Sequence, residues 1–138
     1  MKTAILAARV LLGTIFVVFG LNGFLQFLPQ PAMPEPAIAF FGALAATGYM
    51  LPQLFAWQVI GGALVLSGRV ALGVLLLTPV IINIVGFHVF LAPGGLGLAL
   101  VVAALGLFLA WTHRDAYRSL FVDGKADVVV ARQRTAVA

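Results

Sequence analysis

Apolar residues run along this chain in long, nearly unbroken blocks. Residues 4–24, 51–67, 70–91 and 96–112 are each close to the ~20 apolar residues that a bilayer crossing requires. The punctuation between blocks is proline, glycine or charge. Alternating prolines in residues 29–36 cannot form a helix interior and predict an extended external loop. Residues 37–66 pose a length problem. As one helix they would span about 45 Å, against a hydrocarbon core of about 30 Å. Gly48-Tyr49-Met50-Leu51-Pro52 is the place to break it. Residues 37–47 then form a half-helix, interfacial or re-entrant, and 51–67 a short second span. A fifth full span is the competing count, and the length limit argues against it. Gly68-Arg69 marks an inner turn and Ala92-Pro93-Gly94-Gly95 an outer one.

The predicted fold is all-α: a polytopic membrane four-helix bundle with a short extra half-helix between spans 1 and 2. Residues 1–113 make the transmembrane domain and 114–138 a cytoplasmic tail. Residues 114–121 predict a short surface helix. Asp123-Gly124 is a turn signal. Val128, Val129 and Val130 after it read as a strand, a partner-binding segment or a loosely ordered tail.

Composition excludes an ordinary soluble domain. Hydrophobic residues make up 63% and charged residues 9%, where soluble domains hold about 45–50% and about 25%. The net charge of +4 concerns topology and not nucleic acid. Lys2, Arg9, Arg69, Arg114, Arg118, Lys125, Arg132 and Arg134 fall on one side of the expected membrane, with Glu35 alone on the other. Basic residues near short loops mark the cytoplasmic face, so both termini are expected there. Lys2 and the run behind it imitate a signal peptide. Arg9 within the run, and no convincing A-x-A site after it, favour a retained first span. Arg9 lies near enough to the inner end for its stem to snorkel.

The chain has no cysteine, which removes thiolate chemistry, iron–sulfur ligation and c-type haem attachment. No carboxylate falls inside a span, against a proton pump or coupled transporter. No hydrolase, phosphate-loop or zinc motif is present. The uncharged polar residues gather in the outer half: Asn22, Gln58, Asn83 and His88. Each has a plain structural reading. Asn22 closes the end of span 1 on backbone, Gln58 and Asn83 bond between helices, and His88 sits at the interface. The functional reading makes all four the lining of an outer pocket. Asn83 and His88 are five residues apart and do not share a helix face. Pro79 removes the hydrogen bond to Leu75 O, whose freed carbonyl would seek Thr78 or a neighbouring span.

Several stretches together resemble the DoxX family of small four-span bacterial membrane proteins. They are Phe19-Gly20-Leu21-Asn22-Gly23-Phe24, Gly48-Tyr49-Met50-Leu51-Pro52, Gly61-Gly62 and Gly68-Arg69, then Asn83-Ile84, Phe87-His88-Val89-Phe90-Leu91-Ala92-Pro93 and Ala110-Trp111 with Tyr117-Arg118. The resemblance covers roughly residues 5–121. It implies a bacterial inner-membrane protein tied to a membrane oxidoreductase system, as in relatives linked to a quinone-reducing thiosulfate oxidoreductase and to an oxidative-stress complex. This chain departs from the pattern at Phe55 and Gln58, where many similar proteins carry lysine and glutamate.

The expected function is therefore an accessory or quinone-interacting subunit, not catalytic on its own, with no covalently bound cofactor, haem or metal. Its expected contacts are the bilayer and other membrane subunits or a second copy. Two alternatives are a purely structural small subunit and a small-molecule channel or carrier.

Overall fold

Runs this apolar, with no Gly-Pro break inside most of them, satisfy their backbone internally as helices. The computed structural model describes residues 1–29, 32–118 and 120. The described residues are helical apart from short connections. Helix α1 is Lys2–Leu25, α2 Glu35–Ala46, α3 Met50–Leu66 and α4 Val70–Phe90. A 3-10 turn, Pro93–Gly95, leads into α5 at Leu96–Thr112, and α6 is Arg114–Arg118. Three stretches are long and apolar enough to cross a membrane: α1, α4, and α5 with its leading turn. The α2–α3 pair makes a fourth if its two halves, bent by 96° to each other, count as one broken span.

That bend replaces the single long helix. Gly48 adopts φ 74°, a left-handed conformation that glycine enters without steric cost. The break falls at Thr47, Gly48 and Tyr49, slightly earlier than expected. The Thr47 hydroxyl donates to Leu44 O (2.6 Å) and accepts from Met50 N–H (3.1 Å), closing one helix and starting the next. Pro52 lies inside the first turn of α3, where a missing N–H costs no intrahelical bond. Glu35 and Pro36 likewise open α2 and do not belong to the extended loop. The carboxylate of Glu35 suits the positive end of that helix. Phe40 and Phe41 pack on Phe87 (centroids 5.9 and 5.2 Å), joining α2 to α4.

Helix α1 packs antiparallel on α3, α3 on α4, α4 on α5, and α5 returns to α1. Glycines set the α1–α3 distance. A Cβ on Gly13 would reach 2.6 Å from Leu66 Cγ, and one on Gly62 would reach 2.8 Å from Gly13 O. The backbones therefore approach closely, as small residues permit between apolar helices. Leu12, Phe16, Val65, Leu77 and Leu109 are fully buried. Other large apolar side chains point outward: Ile82, Phe90, Leu107 and Trp111 are each at least 65% exposed. The outer surface is thus rich in large apolar side chains, which suits contact with lipid.

Lys2, Arg9, Arg69, Arg114 and Arg118 share one end of this arrangement, because the antiparallel packing brings Met1 beside Trp111 and Arg9 beside Gly68. Among the described residues Glu35 is the sole charge outside that end. Tyr117 on α6 donates its hydroxyl to Ala71 O at 2.9 Å, holding α6 against the start of α4. The expected strand at Val128 to Val130 lies outside the described residues.

Candidate functional site

Asn22 is 6% exposed near the end of α1. Its Oδ1 accepts from Leu28 N–H at 2.6 Å. Gln26, at φ 50°, donates its N–H to Asn22 O, so side chain and backbone of Asn22 together close the helix. The Asn22 carbonyl, in the last turn of the helix, and the Leu28 N–H of the loop beyond are satisfied in this way.

Gln58 is 8% exposed on α3. It shares a stripe with Gly62 and Val65, at i, i+4 and i+7. Its Cβ meets Gly20 of α1. Unlike Asn22, its amide makes no hydrogen bond among the described residues. Its amide nitrogen and oxygen keep access to the surface: the one fully buried side-chain polar atom without a partner among the described residues is Arg9 Nε. Asn22 lies two positions after Gly20, about 200° around α1. It therefore points away from the seam on which Gln58 sits. Phe55, one turn before Gln58, packs edge-on against Phe24 (5.7 Å) and covers Gly23. The two positions that depart from the DoxX-like pattern are thus adjacent: one fills the seam, and the other leaves an amide in it.

Asn83 faces outward from α4 and is exposed. Its Nδ2 donates to Pro79 O at 2.9 Å, within its own helix. Among the described residues no other helix receives the bond that interhelical pairing would have required. Thr78 donates to Val74 O at 2.8 Å, and Leu75 O is not its target. Ile81, one face away from Asn83, is buried. The rotation that separates Asn83 from His88 therefore turns the isoleucine face inward.

His88 is half-buried. Its Nδ1 lies 2.9 Å from Ala92 O. A carbonyl only accepts, so Nδ1 carries the hydrogen and Nε2 is left as the acceptor. The ring lies against Gly95, where a Cβ would overlap it, and edge-on to Phe87 at 5.1 Å. His88 thus organises the turn between α4 and α5. The four polar residues occupy four places: a helix end, the α1–α3 seam, the outer face of α4 and the α4–α5 turn. Of the four, Gln58 alone has a side chain with no hydrogen bond among the described residues.

At the basic end a cleft of about 280 Å³ is lined by Met1, Ile5, Phe108, Trp111, Thr112 and Arg114. Arg114 stacks on Trp111 at 5.2 Å and donates to Trp111 O at 3.2 Å. His113, by the same acceptor argument, donates Nδ1–H to Leu109 O at 2.9 Å. From sequence, Arg9 snorkels to the inner interface and has no place in a site; its Nε is buried without a partner among the described residues. Its one signal was a cation inside an apolar run. No family model, curated protein or solved structure matches the chain.

Proposed function

We propose that this is an integral membrane protein of the DoxX type, a four-helix bundle that serves as an accessory, quinone-interacting subunit of a membrane oxidoreductase system. Gln58 carries the reading. Its amide stands at the α1–α3 seam with no hydrogen-bond partner among the described residues and keeps access to the surface, and a quinone carbonyl would accept from it. The chain supplies binding and position, and the electrons belong to a partner. The charge asymmetry supports a bacterial inner-membrane topology with both termini in the cytoplasm.

The test is thermal unfolding of purified protein in mild detergent, with and without a short-chain quinone. The wild type is expected to melt higher with quinone. Gln58→Leu is expected to lose that response, because the amide that would donate to the quinone is gone. An equal quinone response in both proteins, or none in the wild type, rejects the site.

A second reading, a purely structural subunit, is favoured by Asn22, Asn83 and His88, which bond within their own helix or turn. It is also favoured by Gly97 on α5, which has open space around it. It predicts stable co-purification with a larger membrane protein, unaffected by Gln58→Leu.

A further inference from the structure

Two arginines converge on the turn between α3 and α4. Arg9 reaches this turn from α1: the nearest atom to a Cβ built on Gly68 is Arg9 Nη1, at 3.8 Å. Gly68 has φ 92°, a conformation that keeps the turn tight and free of a side chain at that point. Arg69 follows directly as the N-cap of α4, with its side chain exposed.

Neither guanidinium has a hydrogen-bond or ion-pair partner among the described residues. Arg9 is half-buried, and its Nε is fully buried without an acceptor. Three carbonyls beside the turn are already in use. Ala63 O accepts from Ser67 N–H, Leu64 O from Arg69 N–H and the Ser67 hydroxyl, and Val65 O from Gly68 N–H. Asp115, the one acid described at this end, pairs with Arg118 at 3.5 Å. Two cations therefore flank a bare turn with no anion of the chain to meet them.

We propose that Arg9 and Arg69 form a phosphate site, occupied by the headgroup phosphate of an anionic phospholipid. The planar guanidinium fork matches phosphate oxygens in pairs. Leu72, one turn into the membrane from Arg69 along α4, is about half exposed and offers apolar surface to an acyl chain. The proposal rests on the membrane reading above and is independent of quinone binding at Gln58.

The experiment places the full chain in nanodiscs of phosphatidylcholine alone, or of phosphatidylcholine with phosphatidylglycerol. The readouts are the melting temperature and the phosphatidylglycerol retained on the protein by native mass spectrometry. The wild type is expected to melt higher and retain lipid in the mixed discs. Arg9→Gln and Arg69→Gln are each expected to weaken retention about tenfold or more, the loss of one charge-assisted contact. Arg118→Gln, at the same end, is expected to leave it unchanged. Arg69 is exposed, so Arg69→Gln decides the matter even if Arg9→Gln does not fold. Added inorganic phosphate that reproduces the gain in phosphatidylcholine discs upholds the site and assigns it a soluble occupant. Equal behaviour in the two disc types without such a phosphate effect overturns the proposal, as does an equal loss in Arg118→Gln. The quinone-dependent melting shift, measured in parallel, separates failure of this site from failure of the Gln58 reading.

Discussion

Asn22, Asn83 and His88 each bond to a backbone group within six residues of themselves. In an apolar bundle the nearest free carbonyl or N–H is the cheapest partner, because reaching it orders the fewest groups. Tyr117 is the exception, tying residues 46 apart in the chain. Burial raises its phenol above the ordinary 10.0. The sign follows: the folded state holds the proton to higher pH than the unfolded state does. This contribution to stability is complete below about 10 and is lost as pH rises through the raised value. The phenolate also cannot donate to Ala71 O. In a Tyr49→Phe background, absorbance of the remaining tyrosinate is expected to titrate above the ordinary value. Tyr117→Phe is expected to cost about 1 kcal/mol in denaturant unfolding. From sequence Tyr117 read only as a member of an aromatic belt, since the carbonyl it meets is set by how α6 folds under α4.

Among the helices, α1 and α3 depend on glycine for their approach, and the dependence is specific to position. Gly62→Val is expected to destabilise by about 3 kcal/mol or more, because its Cβ would meet the Gly13 carbonyl, a backbone atom without freedom to yield. Gly42 on α2 has open space around it and no positive φ. Gly42→Ala is expected to stabilise by about 0.5–1 kcal/mol through better helix propensity. Paired unfolding measurements on these two variants check the contrast. In sequence the two glycines look alike. The break of the long apolar stretch, by comparison, was legible: Gly48 and a helix too long for the bilayer both pointed to it. The part of Thr47 was not, because a threonine in an apolar run looks like any other helical residue until the chain bends beside it.

For the molecule as a whole, the absence of cysteine makes the proposed topology directly measurable. Glu35→Cys is expected to react with a membrane-impermeant maleimide in intact cells. Ser67→Cys, beside the basic turn, is expected to react only after lysis. The reverse pattern would invert the orientation, and labelling of both from outside would remove the crossing between them.

Sequence alone determined that the chain is helical, that its runs are of membrane-crossing length, and that its basic residues are separated from Glu35. Each of these depends on local composition, on the fixed rise of a helix, or on the order of charges along the chain. The tertiary structure decided which faces turn inward, and so what each polar residue does. Runs that are apolar on every side carry no stripe to tell core from lipid, so Asn83 and Gln58 were indistinguishable until the helices packed. Packing placed Asn83 on the outer surface and Gln58 on a buried seam. It also brought Arg9, 60 residues from Arg69 in the sequence, to the turn that Arg69 closes.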